Sequence, residues 1–327
     1  MRRERAQPRY AARVRRAALL VALAGLAALA AASPAKQAKN ADDDRPPQRL
    51  MPIVGEPKKV LVRDEDTLLD IAFDYRLGFE AVTRANPKLD PWIPVPGSVV
   101  DLPTVYILPD ADPQGLVINV PEMRLYDFRQ KPPVVYAAAI GDEADRSLHG
   151  EYKVGAKRKD PAWTVPASIR AEKPELPAVV APGPDNPLGS RWMTIGNTTY
   201  GIHGTNKRWS IGRMATHGCV RLYDDEIKKL YDITPTGTRL QLLYQPYKWG
   251  TDGRDLYLEV HPDLYNEFPG RLSEALRTPR SLGILGHVDL DAAWRAVDEK
   301  RGIPVRVGRL PEPPPTRTPA TTSRPTS

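Results

Sequence analysis

Residues 216–221 read THGCVR, and residues 200–205, shortly before them in the chain, read YGIHGT. Cys219 is the single cysteine among 327 residues, and His203 precedes it by sixteen positions. A lone thiol cannot form an internal disulfide, so reactivity is the first use to consider for it. A histidine that removes the thiol proton would make Cys219 a nucleophile. These two segments therefore lead both the fold prediction and the site prediction.

The amino-terminal segment has the pattern of an export signal. Residues 1–16 carry seven arginines and one glutamate, and residues 17–32 are almost entirely Ala, Leu, Val and Gly. This pattern is typical of a signal peptide over residues 1–32, and an uncleaved membrane anchor is the alternative. The apolar run is shorter than the roughly 20 residues that a spanning helix needs. We therefore expect an exported protein.

The positive charge of the chain belongs mostly to that segment. The whole sequence has a formal net charge of +7, and residues 1–32 contribute seven positive charges and one negative charge, so +1 remains without them. A basic surface is the electrostatic requirement for binding nucleic acid. Nucleic acid is therefore not expected as a partner.

Composition divides the rest of the chain. Residues 33–56 are polar and contain prolines, which predicts an exposed linker. Residues 311–327 are Pro, Thr, Ser and Arg with almost nothing apolar, which predicts a disordered tail. Folded regions are expected at residues 57–104 and 115–247. Residues 248–310 form a C-terminal extension, in which strand-like and helical runs alternate but no function can be recognised.

The region 57–104 is predicted to be a small α+β unit. Strand-like residues 60–62 precede a helix that Asp66 can cap and Gly78 can end, and a second helix and residues 99–102 follow. The runs DTLLDIA, ANP and PGSVVDLP in this βααβ order resemble a LysM module, with Glu65 where such modules usually have glycine. The resemblance implies binding to the glycan strands of peptidoglycan. The alternative is a structural cap for the next domain.

The region 115–247 is rich in predicted strands. Short runs of β-branched and aromatic residues, such as GLVINV, MRLYDF and WMTIGN, are separated by Pro, Asp and Gly, which predicts an antiparallel sheet. One helix is expected over residues 224–231, capped by Asp224. Residues 160–191 contain seven prolines and read as a long loop, of the kind that forms a lid or a cleft wall. The chain is therefore predicted to be mainly β.

Several motifs in this region together resemble the YkuD-type catalytic domain of the L,D-transpeptidases, in the periplasmic ErfK-like branch. They are INVPEMRLYDF, PAWTVP, PGPDNPLG, YGIHGTN, SIGR and THGCVRLYDDEI. The resemblance implies a β-sandwich-like fold, a periplasmic and cell-wall-associated location, and a cysteine acyltransferase acting on peptidoglycan stem peptides. The acyl acceptor would be a stem-peptide amine or the lysine of an envelope lipoprotein.

The motif also suggests a role for each residue of the site. His203 is the expected base for Cys219, and the backbone N–H groups of His217, Gly218 and Cys219 are the expected oxyanion hole. The resemblance also implies that the His217 side chain lines the same pocket as Thr216 and assists the substrate or the imidazole network. Thr216, Arg221 and Gly204 form the predicted substrate-binding set, with the Gly204 carbonyl orienting His203 in place of an acid. Arg221 is expected either to hold a carboxylate of the stem peptide or to anchor the cleft.

Two further questions stay open at the sequence level. A zinc site built from His203, His217 and Cys219 would lack a fourth ligand at a usual spacing, so no metal or other cofactor is predicted. The same residues would also serve an L,D-carboxypeptidase, in which water replaces the amine. The third alternative, a non-catalytic wall-binding protein, does not explain the intact Cys219 and His203.

Overall fold

The computed structural model describes residues 49–312. The predicted signal peptide, residues 33–48 of the predicted linker and residues 313–327 of the predicted tail lie outside these residues. The described part contains nineteen strands: β1 (Met51–Val54), β2 (Lys58–Leu61), β3 (Val99–Leu102), β4 (Tyr106–Ile107), β5 (Leu116–Asn119), β6 (Arg124–Asp127), β7 (Val134–Ala137), β8 (Ile140–Gly141), β9 (Gly150–Lys159), β10 (Trp163–Thr164), β11 (Val179–Val180), β12 (Arg191–Ile195), β13 (Gly201–His203), β14 (Met214–Thr216), β15 (Val220–Arg221), β16 (Arg239–Leu243), β17 (Tyr247–Asp252), β18 (Asp255–Val260) and β19 (Val305–Arg309).

The described residues contain fewer helices than strands. The α-helices are α1 (Leu68–Asp74), α2 (Phe79–Ala85), α3 (Ala167–Glu172), α4 (Asp224–Ile233), α5 (Arg271–Ala275), α6 (Arg277–Ser281) and α7 (Leu290–Glu299). Single 3₁₀ turns lie at Val120–Glu122, Arg208–Ser210 and Leu285–His287. Within residues 49–312, no helix combines the length and the apolar content that crossing a bilayer requires. The predicted mainly β fold is confirmed.

The largest sheet has eight strands in the order β15-β13-β12-β9-β16-β5-β6-β7. Neighbouring strands are antiparallel except for the pairs β13–β15 and β16–β5, which are parallel. One face of the sheet packs on α4 through a core of fully buried side chains that includes Ile118, Met193, Ile202, Val220 and Leu230. Burial of this apolar face positions the strands that carry His203 and Cys219.

Helix α4 starts as predicted, but its cap differs from the prediction. Tyr223 is the N-cap residue, and no side chain caps the first turn. The Asp224 carboxylate instead accepts hydrogen bonds from the backbone N–H and the hydroxyl of Ser190, at 2.8 and 3.0 Å. Asp224 therefore ties the helix to the segment before β12 and does not cap its own helix.

Residues 58–102 form the predicted βααβ unit. Strands β2 and β3 pair antiparallel, and α1 and α2 pack on them around a core that includes Leu68, Ile71 and Val82. Thr67 caps α1, with Asp70 closing a reciprocal capping box, so the prediction of Asp66 as the cap is wrong. Asp66 instead binds Arg63. Glu65 has a φ of 68°, a left-handed conformation that favours glycine.

This small unit is docked on the segment that leads into the Cys219 motif. The N–H groups of Phe79 and Glu80, in the first turn of α2, donate to the carbonyls of Ile211 and Gly212 at 3.2 and 3.3 Å. These carbonyls satisfy helix N–H groups that have no partner inside α2. A Cβ at Gly212 would lie 2.2 Å from the Cα of Gly78. The two backbones therefore meet at a contact that only glycine permits.

The C-terminal extension builds a second sheet with segments from before and after the small unit. Its order is β19-β18-β17-β1-β4, and α5 to α7 lie near it, with α5 and α7 contributing to a separate apolar core. Strand β1 pairs with β17 on one side and with β4 on the other. The predicted linker over residues 33–56 is therefore wrong for Met51–Val54. Backbone pairing with a strand about 200 residues away orders this segment, and local composition does not report such pairing.

A buried ionic cluster joins the two sheets. The first sheet contributes Arg124 of β6 and the nearby Glu122, and the second sheet contributes Lys248 of β17 and Glu259 of β18. The Lys248 ammonium lies 2.8 Å from Glu122 and 3.2 Å from Glu259. Two cations and two carboxylates balance in charge, which is the condition for burying such groups. The cluster fixes the second sheet against the first.

Candidate active site

Strand register brings the motif residues to one face of the large sheet. In the parallel pair β13–β15, Ile202 lies opposite Val220 and His203 lies opposite Arg221. Ile202 and Val220 are fully buried in the core. Because side chains alternate between the two faces of a sheet, His203 and Arg221 point to the face away from that core, and Cys219 is the residue just before β15. The two segments that led the prediction therefore meet.

His203 is buried, and its ring is held on two sides. Nδ1 lies 2.6 Å from the Gly204 carbonyl oxygen, and the ring stacks on Trp192 with centroids 5.5 Å apart. A carbonyl can only accept, so Nδ1 carries the hydrogen and Nε2 keeps a lone pair. Burial and then the charge of Arg221 lower the pKa of His203 to about 3. The ring is therefore an uncharged base at neutral pH.

Cys219 is half-buried, and it is a free thiol. Burial raises the pKa of the thiol, while a hydrogen bond from the Gly201 backbone and the charge of Arg221 act in the opposite direction. The resting residue at neutral pH is therefore the thiol. Proton transfer to a neighbouring base is the route by which such a group becomes a nucleophile.

The turn between Thr216 and Cys219 is tightly specified. The Thr216 hydroxyl donates to the Cys219 carbonyl at 2.6 Å. Gly218 has a φ of 88°, and a Cβ there would lie 2.5 Å from the ring of Tyr200. The N–H groups of His217, Gly218 and Cys219 make no hydrogen bond to another residue within the described range. Consecutive N–H groups without a partner on a positive-φ turn are the kind of backbone that can bind an anion.

Thr216 and Arg221 occupy different environments, although both were predicted to bind substrate. The Thr216 side chain is buried, and its hydroxyl is used within the turn. Arg221 is half-buried, and its Nε is shielded from solvent without a hydrogen-bond partner among residues 49–312. Burial lowers the pKa of Arg221, and the Cys219 sulfur partly offsets this effect. A buried donor without a partner is costly, and an anionic ligand would satisfy it.

The His217 ring lies beside two acidic side chains. Its Nδ1 lies 2.6 Å from Asp145 Oδ2, and its Nε2 lies 3.8 Å from Glu172 Oε2. Sequence reasoning missed both acids. Asp145 lies in the loop after β8 and Glu172 lies in α3, so no fixed spacing from the THGCVR motif points to either of them.

Residues 160–191 border the site, but they are not structureless. The segment contains the antiparallel pair β10–β11 and the helix α3, whose Ile169 is buried. The backbone of Leu188 acts to raise the pKa of His203, and Glu172 lies 3.8 Å from Nε2 of His217. The predicted cleft wall thus borders both histidines of the site.

Side chains that could bind a metal ion come together away from Cys219. Within residues 49–312, Glu122, Glu259 and His261 place one potential ligand atom each within 4.8 Å of the others. Lys248 and Arg124 already occupy these carboxylates. The cluster is therefore charge-compensated without an ion, and it lies in the junction of the two sheets and not at Cys219.

Comparison with known proteins agrees with the geometry. The family model for the YkuD L,D-transpeptidase catalytic domain matches residues 113–242. The chain is 36% identical over 272 residues to the probable L,D-transpeptidase YbiS of Escherichia coli, which covers 78% of this chain and 88% of the relative. It is 38% identical over 276 residues to the probable L,D-transpeptidase ErfK/SrfK of Salmonella typhimurium, over 78% and 87% of the two chains.

A solved structure resembles the protein more weakly. The L,D-transpeptidase from Mycobacterium smegmatis covers 61% of this chain and 96% of its own, with a TM-score of 0.33 and 12% identity. This overlap is too low to add to the sequence relationship, which extends well beyond the catalytic region on both sides. On the strength of that relationship and of the paired His203 and Cys219 strands, the chain belongs to the L,D-transpeptidase family.

Proposed function

We propose that this protein is an exported cysteine acyltransferase that forms a thioester between Cys219 and a peptidoglycan stem peptide and then transfers the acyl group to an amine. One observation carries the proposal. Strand β13 pairs with β15, so His203 lies opposite Arg221, two residues after Cys219, and the Gly204 carbonyl binds Nδ1 of His203, which leaves the lone pair on Nε2. Family membership supports the same reaction class.

The first half-reaction balances with these two side chains alone. The thiol proton moves to Nε2 of His203 while the sulfur attacks the carbonyl carbon of the donor amide. The C–N bond then breaks, and the same proton leaves with the departing amine. Both resting groups are uncharged at neutral pH, so the proton transfer creates an ion pair at the moment of attack.

The cysteine turn supports the charged intermediate. The tetrahedral carbon carries an oxyanion, and preorganised N–H donors stabilise such a charge best where water is excluded. The N–H groups of His217, Gly218 and Cys219 are the proposed donors. The positive φ of Gly218 gives this turn its concave shape.

Arg221 is the proposed contact for a carboxylate of the donor. Its Nε lacks a partner in the described chain, and its charge already influences both His203 and Cys219. Of the two roles considered for Arg221, the action of its charge on both His203 and Cys219 favours substrate binding over anchoring. Thr216 is better described as a support of the turn than as a substrate contact.

The other parts of the chain fit a cell-wall enzyme. The relatives are L,D-transpeptidases by name, and the signal pattern of residues 1–32 suits a periplasmic location. The βααβ unit is the proposed glycan-binding LysM-like module. A stem-peptide amine and the lysine of an envelope lipoprotein are both chemically suitable acceptors.

Mass spectrometry of muropeptide products tests the proposal. The mature protein is incubated with tetrapeptide muropeptides, with and without an added amine. Cross-linked or amine-capped products, together with a covalent adduct on Cys219, are expected from the unsubstituted protein and are expected to disappear in Cys219→Ala. Tripeptide as the sole product would instead support the hydrolase. An adduct that persists in Cys219→Ala would refute the proposed nucleophile.

A further inference from the structure

Transfer to an amine poses a proton problem that hydrolysis does not. A lysine-type amine has a pKa of about 10.4, so it reaches the site at pH 7 as an ammonium ion. Two protons must leave the nitrogen before it becomes an amide nitrogen. One of them returns to the sulfur when the thioester C–S bond breaks, and the other must go to a second acceptor. His203 can transfer only the proton that goes to the sulfur.

We propose that His217, oriented by Asp145, is the second base of the transfer step and removes the first proton of the incoming ammonium ion. This inference rests on the proposed acyl transfer to an amine. In the balanced step, the ammonium loses one proton to His217 Nε2 and becomes a nucleophile. It then attacks the thioester carbonyl, and its second proton passes through His203 to the departing Cys219 sulfur. His217 afterwards releases its proton to water.

The geometry at His217 suits this role. Asp145 Oδ2 lies 2.6 Å from Nδ1, and an ionised carboxylate can only accept, so the hydrogen of the neutral ring is on Nδ1. Nε2 keeps its lone pair, because Glu172 at 3.8 Å is too distant for a hydrogen bond. The His217 side chain is 33% exposed, so an acceptor from solvent can reach it, whereas His203 is buried.

The Asp145 loop is fixed to the cysteine motif. Asp142 Oδ1 accepts from the N–H groups of Ala144 and Asp145 at 2.9 and 2.8 Å, and the N–H of Asp142 donates to the Thr216 carbonyl. The position of the Asp145 carboxylate is therefore set relative to the residue just before His217. Such preorganisation is what an orienting carboxylate requires.

Charge separates the two sides of the site in the sense that the reaction needs. Asp145 and Glu172 flank His217 and attract a cation, whereas Arg221 lies by Cys219 and His203 and repels one. An ammonium acceptor therefore approaches along the His217 side, and the donor carboxylate occupies the Arg221 side. Water carries no charge, so hydrolysis of the thioester gains nothing from the acidic pair.

The test separates thioester formation from its aminolysis. The Cys219 thioester is formed with a tetrapeptide donor and then mixed with a lysine-type amine or with buffer alone. In Asp145→Asn and His217→Gln, aminolysis at pH 7 should fall by tenfold or more, and this fall should exceed any fall in thioester formation measured separately in the same variant. The rate should recover as pH approaches the pKa of the amine, because free amine then needs no second base.

An acceptor that is already neutral at pH 7, such as hydroxylamine, should restore transfer in both variants, which a merely structural defect would not allow. Glu143→Gln, in the same loop, makes the same charge change at an exposed position and should leave aminolysis unchanged. Unaltered aminolysis in both variants, or equal losses with hydroxylamine and lysine, would overturn the inference. Absence of the thioester in the unsubstituted protein would instead refute the proposed function itself.

Discussion

Replacing Gly218 with alanine should impair the proposed oxyanion hole and also destabilise the fold. Gly218 has a φ of 88°, where an L-residue other than glycine costs about 1–2 kcal/mol. A Cβ would also lie 2.5 Å from the Tyr200 ring and 3.2 Å from the Arg146 carbonyl oxygen. The ring or the turn must move, and the N–H groups of the turn move with it. Loss of one such donor typically lowers kcat by about 10²–10³.

A matched glycine isolates the steric part of this effect. Gly237 has a φ of 87°, but a Cβ there would meet nothing within 4 Å. Gly237→Ala should therefore lose only about 1–2 kcal/mol of unfolding free energy in urea and keep its rate of thioester formation. Gly218→Ala should lose more stability and at least tenfold in that rate. Adding Tyr200→Ala should recover part of the stability loss. Equal behaviour of the two alanine variants would refute the steric argument.

Two further predictions concern buried charge. Burial, and then the nearby Asp225, raises the pKa of Glu226 to about 8 from an ordinary 4.5. The unfolding free energy should therefore fall as pH rises between these two values. Glu226→Gln should flatten this pH dependence in urea titrations, and an unchanged slope would contradict the raised pKa. Lys248→Met leaves two buried carboxylates with Arg124 and should cost about 3–5 kcal/mol. Arg63→Met, at an exposed pair, should cost far less than Lys248→Met, and similar losses in both would show that the cluster is solvated.

Features that depend on local sequence were the ones predicted well. The βααβ unit, helix α4 and the strands around the motif follow from side-chain periodicity and from Gly and Pro positions, which act over a few residues. The meeting of the two segments that carry His203 and Cys219 was also predictable, because each segment is a short, recognisable run. The predicted N-caps at Asp66 and Asp224 were each wrong by one residue. An acid near the start of a helix can bind a side chain or another loop instead of capping the helix.

The missed features all depend on contacts between distant segments. Met51–Val54 looks like a linker because its order comes from β17, about 200 residues later. Asp145 and Glu172 are ordinary surface acids until the fold brings them to His217. The cluster of Glu122, Lys248 and Glu259 has no sequence signature either. Charged residues are rarely buried unless they are paired, and the sequence does not show which of them become partners. Composition and periodicity carry no record of such partners.

The second sheet also bears on where the catalytic region can be cut. The family match ends at residue 242, and β17, which pairs with β1, begins at Tyr247. A fragment limited to the match would keep Glu122 and Arg124 but discard Lys248 and Glu259. It would also expose apolar surface that is now buried. The unit of homology and the unit of folding thus have different limits in this protein. Residues on both sides of the match therefore belong to the smallest fragment in which the buried charges stay paired.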